Sequence, residues 1–518
     1  MVKRALFHAP TLRQTLFFAL LLIIVLLLLH HSTFITSQPS VAPKINILSV
    51  EKQNTTTVFA GYLRKGFLQI PLYGYIKEGG MKAYTTGEIY GLIKKIRVFG
   101  NVAIATGNIY SFKTKNMAML VSILFLEENK PPINLIVSSC DNSFASDALV
   151  DGDSLIVVGY TYCTLNETTG TVVHQVAGYK FISGKSGESD IIFLKFDLKN
   201  LSLVDFKLIG SPSFDDIPTL VLKRRNLYYV IGETWAYNVS QADIFVAILD
   251  QDFNIVRNFA VGGASYETPF DAIFLDDDLL ITGFTTSGEM GDEGFAVLLS
   301  KIGNIKKSIL LSSKGNDHLQ YVSVTENGKK VIISGNGEID EDKSDSLLIT
   351  LNSADWNIEK FELVRAIPDN DTLIFMSKDG KLIIRTGRLR LVDLADKVAY
   401  CLSTNCSDSQ IVFLDDRKES NIFLKKIASW RTSYNILKEK SLAGNLHVDT
   451  MPSTPYNIKL AKSSVSIKES IFQRQIDWRK RLIRSLEQNV PILLILPIPV
   501  GFVIVYIIAK RGSRSEHH

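Results

Sequence analysis

Three histidines lie between the two apolar ends of the chain, His174, His318 and His447, and they are too widely spaced to gather around a transition metal. Acidic residues do cluster, at Asp215-Asp216, Asp276-Asp277-Asp278 and Asp340-Glu341-Asp342, and oxygen ligands at such spacing suit Ca²⁺. The EF-hand order is missing, and Asp276–Asp278 falls between two strand-like runs, where Asp is favoured for turn chemistry alone. Solvated turns are therefore the expected account, and no metal site is assigned. The segment GYKFISGKS at 178–186 has five residues between Gly178 and Gly184, where a phosphate loop has four. It also lacks a strand-to-helix turn, so no nucleotide or other cofactor is expected. No G-x-S-x-G elbow occurs, and no nucleophile, base and orienter share a telling spacing, so no catalytic residue is assigned.

Recognition chemistry is better represented. Tyr160, Tyr162, Trp235, Tyr237 and Phe284 follow recurring glycine-containing runs, with Tyr266 in a neighbouring loop. Such side chains suit a sugar or protein ligand, and equally suit packing between sheets. A ligand-binding rim of Tyr162, His174, Trp235, Tyr237, Tyr266 and Phe284 is the expectation carried forward. The four cysteines are Cys140, Cys163, Cys401 and Cys406. An even number permits disulfides outside the cell, with Cys140–Cys163 and Cys401–Cys406 as candidate pairs, and four reduced buried thiols as the alternative. No C-x-x-C occurs, which argues against a zinc ribbon. N-x-S/T acceptors for glycosylation stand at Asn54, Asn166, Asn200, Asn238, Asn370 and Asn405.

These residues ride on a repeat. A glycine closes an apolar run at Gly61, Gly107, Gly159, Gly232, Gly283, Gly335 and Gly387, at intervals of 46, 52, 73, 51, 52 and 52. A period near fifty marks a repeat architecture. Each unit holds four short runs rich in Val, Ile, Phe and Tyr, with turn signals such as Asn327-Gly328 and Asp379-Gly380 between the first two. Four antiparallel strands per unit, repeated radially, predict an all-β propeller of about seven blades over 44–430. The interval of 73 reflects an insertion between Thr161 and Asp190, whose TVVHQV and GYKFI predict a projecting hairpin on the rim that carries Cys140.

The order D-x-F-V-x-x-L-D, turn, strand, G-G, D-x-x, strand, T-G-x-T resembles the β-propeller repeat family of secreted and cell-surface proteins. Its carriers are Asp243, Phe245, Val246, Leu249 and Asp250, then Gly262, Gly263 and Asp271, then Thr282, Gly283 and Thr285. The resemblance implies a fold and no reaction, because propellers host many functions.

Outside the repeat, residues 1–31 join a basic stretch (Lys3, Arg4, Arg13) to an apolar run and read as a signal peptide or signal anchor. Residues 32–43 are a Ser/Thr/Pro linker, and 431–465 a membrane-proximal segment without period. Residues 466–489 show a helical spacing of Ile467, Ile471, Trp478, Leu482 and Leu486 with basic flanks, and predict an amphipathic helix. Residues 490–509 carry no charge and predict a transmembrane helix held in lipid, leaving 510–518 as a cytoplasmic tail. Basic residues beside the span do not favour that orientation; the basic N-terminal segment, which usually sets topology first, does.

The chain has 518 residues, 46% hydrophobic and 21% charged, with a net charge of +4. That balance suits a large globular core and gives no reason to expect nucleic acid. The reading is a cell-membrane protein with its bulk extracytoplasmic, acting as a non-catalytic binding or scaffold protein for an envelope protein or a glycan. The alternatives are an ecto-enzyme, such as a hydrolase, with its site in the propeller funnel, or an architectural subunit of a membrane-envelope assembly.

Overall fold

The computed structural model describes residues 43–471, apart from short stretches within that span. The expected signal or anchor segment (1–31), most of the expected linker, the expected transmembrane helix (490–509) and the expected tail lie outside the described residues. Among the described residues no helix is long and apolar enough to cross a membrane.

The protein is an all-β propeller. Seven four-stranded antiparallel meanders follow one another, at 44–85, 91–138, 143–210, 216–262, 267–312, 317–367 and 372–401, and are called units one to seven. They fall into six sheets rather than the seven expected, because units six and seven share one ten-stranded sheet. The insertion in unit three is a two-stranded hairpin, Val172–Val176 with Tyr179–Ser183.

Strand alternation explains the unbroken apolar runs. In Ser154–Thr161, Leu155 and Val157 pack against unit two, whereas Ile156 and Val158 pack against unit four. Both faces of a sheet are therefore buried, which removes the polar alternation of a one-sided sheet. The core lies in layers between neighbouring units. The layer made by Ile45, Ile47 and Phe59 of unit one with Phe375, Ile383 and Leu391 of unit seven brings the two ends of the repeat together. Arg385 also donates to the carbonyl of Ile47 at 2.9 Å.

The recurring glycine has a steric cause. In each of the first six units the first strand carries an extra residue opposite the second strand. This β-bulge brings the first strand's backbone against the glycine. A Cβ at Gly232 would run into the carbonyl oxygen of Ile217, and one at Gly283 into that of Thr268. Gly61, Gly107, Gly159 and Gly335 face the same obstruction, and Gly387 lies outside the described residues.

The segment after unit seven is the main departure from expectation. Each of its short strands adds antiparallel to the fourth strand of a unit. Ser409–Asp415 joins unit six, Phe423–Lys425 unit five, Arg431–Tyr434 unit four and Lys438–Lys440 unit three. His447–Pro452 then joins unit two, Thr454–Pro455 unit one and Ala461–Ile471 unit seven. The chain thus passes around the ring against the order of the units and gives every unit a fifth, outer strand. The propeller extends past 430, and Ser466–Ile471, expected to begin a helix, belong to a strand. The remainder of that expected helix lies outside the described residues.

Candidate ligand-binding end and central channel

The bulges that explain the glycines also build the channel. Their extra residues, Leu48, Lys94, Ser146, Thr219, Phe270 and Gln320, line one cavity of about 430 Å³, together with Tyr160, Ile217, Glu233 and Thr268. Lys94 is accessible from the channel yet enclosed by protein, and this desolvation lowers its pKa, an effect that Glu233 partly opposes. Burial raises the carboxyl of Glu233, while a hydrogen bond from Thr268 and the charge of Lys94 act the other way. Tyr160 is raised by burial, and further by Tyr162, Asp215 and Glu233.

Deeper in the channel the charges are paired. Arg97 lies 3.0 Å and Lys95 3.3 Å from Oδ2 of buried Asp147, which also accepts from the backbone N–H of Val221 at 3.1 Å. Arg97 in turn donates to the carbonyl of Val221 at 2.9 Å. Burial alone would push Asp147 up, but Arg97, Lys95 and two backbone N–H groups hold it below the ordinary carboxylate value. This network joins units two, three and four and is architectural.

The repeat motif is likewise architectural. Asp250 accepts from the N–H groups of Asp252 and Asn254 in a turn. Asp271 is half-buried and accepts from the backbone N–H of Val322 of the next unit. Thr285 donates to Glu267 at 2.6 Å, and Gly262 leaves room for the carboxyl of Asp243. Asp243 and Glu267 are joined by a hydrogen bond, and burial, with Glu267 beside it, pushes Asp243 well above its usual range. Asp216, expected in a solvated turn, is fully buried and accepts from the N–H and Oγ of Ser211 at 2.5 and 2.7 Å. The Asp276–Asp278 cluster does sit at a turn: Asp276 has φ 54°, Asp277 meets Arg224 at 2.8 Å, and Asp278 meets Lys306 at 2.6 Å. Glu341 and Asp342 lie outside the described residues.

One end of the propeller gathers the loops joining second to third strands and one unit to the next. Cys140 and Cys163 form a disulfide there, with Cα atoms 5.4 Å apart. The pairing of Cys401 with Cys406 lies outside the described residues. The inserted hairpin leaves from this end, and His174 pairs with Phe181 within it. Trp235 and Tyr266, from adjacent units, are both exposed and meet edge to face at 6.5 Å. Tyr162 is half-buried against Tyr160, and Phe284 half-buried 4.6 Å from His318, so these two serve packing as well as the rim. Tyr237 lies on the strand Leu227–Asn238, its side chain outside the described residues. Asn54 and Asn200 sit in exposed turns, while Asn166, Asn370 and Asn405 lie outside the described residues, as does the side chain of Asn238.

Three aromatic residues of this end escaped the sequence reading. Phe67 is 99% exposed and Phe112 71%, both in loops between second and third strands, and Tyr90 is exposed just before unit two. The repeat register contains the signal: Phe112, like Trp235, follows a second strand's core, and Tyr90, like Tyr266, immediately precedes a first strand. The glycine-containing motif is weak in the first units, so that register is not easily carried back to them.

No family model matches the chain, and no curated protein matches it. Among solved structures it is similar to the Dos1 propeller, at 9% identity over 83% of this chain and 96% of that one, with a TM-score of 0.40. It is also similar to a Pyrococcus horikoshii acylaminoacyl peptidase, at 9% identity and TM-score 0.37 over 69% of this chain, which spans 58% of the peptidase. A third similar structure is the Bombyx mori GH32 β-fructofuranosidase BmSUC1, at 11% identity and TM-score 0.30, covering 80% of this chain and 94% of that one.

Proposed function

We propose that the protein is a membrane-anchored, extracytoplasmic binding protein. Its rigid ring presents an aromatic crown to an envelope protein or glycan. In this reading the ten-stranded sheet is two blades, the propeller has seven, and residues 490–509 hold it in the membrane. The observation that carries the reading is that Phe67, Tyr90, Phe112, Trp235 and Tyr266 are all exposed on the end that bears the inserted hairpin. Exposed aromatic groups clustered on one rim mark interaction surfaces. The Cys140–Cys163 disulfide supports an oxidising, extracytoplasmic location. Among the described residues the cavity of about 430 Å³ is lined by one carboxylate, Glu233, and no histidine, and the carboxylates deeper in the channel, Glu51, Asp147 and Asp271, are engaged in bonds between units, which favours binding over hydrolysis. The test is affinity co-purification of the full-length protein from native membranes. Replacing Phe112, Trp235 and Tyr266 together by serine is expected to remove the partners recovered with the unaltered protein; an unchanged set of partners would sink the reading.

A further inference from the structure

A second site, independent of the crown, lies in the channel. Lys94 and Glu233 line the same cavity of about 430 Å³, beside the hydroxyl-bearing side chains of Ser146, Thr219 and Tyr160 and the ring of Phe270. Among the described residues Lys94 makes no hydrogen bond or ion pair, whereas its neighbours Lys95 and Arg97 are both engaged by Asp147. The carboxyl of Glu233 is engaged by the hydroxyl of Thr268 and has no ion-pair partner among the described residues.

We propose that this cavity binds a small zwitterion of amino-acid or short-peptide size, its carboxylate on Lys94 and its ammonium on Glu233. Lys94 and Glu233 feel each other's charge across the cavity but make no direct ion pair, and a ligand that brings an opposite charge into contact with each relieves the cost of their partial desolvation. A lone anion would satisfy Lys94 but face Glu233, and a lone cation would face Lys94. A sugar would leave both charges unpaired. A zwitterion satisfies both, and its carboxylate and ammonium gain charge-assisted hydrogen bonds that are stronger than neutral ones. The volume admits a single amino acid or a dipeptide, and Phe270 with Ile217 offers an apolar wall to its side chain.

The test is isothermal titration of the full-length protein, in a non-ionic detergent, with alanine, dialanine, acetate, methylammonium and glucose. Alanine or dialanine is expected to bind one per chain, with acetate, methylammonium and glucose at least about tenfold weaker, the loss expected for one charged hydrogen bond. Tighter binding of alanine identifies the free amino acid as the ligand form, and tighter binding of dialanine the peptide. Lys94→Met and Glu233→Gln should each weaken the zwitterion by about tenfold or more while leaving the thermal midpoint and far-UV circular dichroism in place. Should either variant unfold, Thr219→Leu, which fills the cavity without touching a charge, should abolish binding in a folded protein. The proposal is overturned if neither zwitterion binds at millimolar concentration, if acetate or glucose binds as tightly, or if these substitutions leave zwitterion affinity unchanged.

Discussion

Asp271 Oδ2 accepts a hydrogen bond from the backbone N–H of Val322 at 3.1 Å, tying the first strand of unit five to the first strand of unit six. Asp147 does the same for Val221 at 3.1 Å, between units three and four, and Glu51 for Val98 at 3.0 Å, between units one and two. The inner strands of a propeller make no ladder bonds to the next blade. Carboxylates supply such bonds at these three junctions, so the motif acid Asp271, with Asp147 and Glu51, helps hold neighbouring units together.

Asp147→Ala should therefore be more damaging than Asp271→Ala. The first leaves Arg97 buried without its partner, a loss of about 3–5 kcal/mol, and the second mainly orphans a backbone N–H, at about 1–3 kcal/mol. Urea unfolding of the full-length protein, followed by circular dichroism, measures the difference. Equal effects would mean that the Arg97 pair contributes nothing beyond its hydrogen bonds.

Gly283→Ala places a methyl group where the carbonyl of Thr268 lies and should cost more than about 2 kcal/mol or prevent folding. Gly66→Ala meets open space at a φ of 62° and should cost only about 1 kcal/mol. Thermal unfolding of the two variants separates steric obstruction from backbone preference.

Burial raises Asp216 from its ordinary 3.8 to about 7, offset in part by Thr234 and Ser211 and reinforced by Asp190. The folded state binds this proton more tightly than the unfolded chain. Its contribution is complete below about pH 4 and is lost as pH rises through about 7. The shift corresponds to roughly 4 kcal/mol across that window. Asp243 titrates in the same sense. Asp216→Asn keeps an acceptor for Ser211 and should flatten the fall in stability between pH 4 and pH 8, measured by urea midpoints. A pH dependence identical to that of the unaltered protein would remove Asp216 as its source.

Ending the chain after Trp430 strips the outer strand from units one to four and from unit seven. Open strand edges template association. The shortened protein should elute as large oligomers on size exclusion, and a folded monomer would show that the outer strands are dispensable.

The sequence announced the four-stranded unit, its period and the inserted hairpin, because both faces of each sheet are buried and the glycine opposite each bulge is fixed by a steric obstruction. The outer strands left no such trace. Arg431–Tyr434 and Lys438–Lys440 are short and largely polar, since each needs only one ladder against a sheet edge and packs little of its surface. The same economy hid the strand Ala461–Ile471, where Ile467 and Ile471 suit a helical spacing as well as a strand. The burial of Asp216 is not legible in the sequence, because an acid pair in a loop reads as solvent-facing and only the fold places one of the two inside. Lys94 and Glu233 gave no sequence signal, since they lie 139 positions apart and meet only through the bulge geometry of different units.

The crown is the centre of the functional account, and lysine cross-linking of the full-length protein in its native membrane, read by mass spectrometry, tests it most directly. Lys65, Lys113 and Lys115 lie at the crown end, and Lys199, Lys301 and Lys306 near the opposite end. The account predicts that one partner links reproducibly to the first group and not to the second. Links confined to Lys199, Lys301 and Lys306, or to residues 466–511, would contradict it.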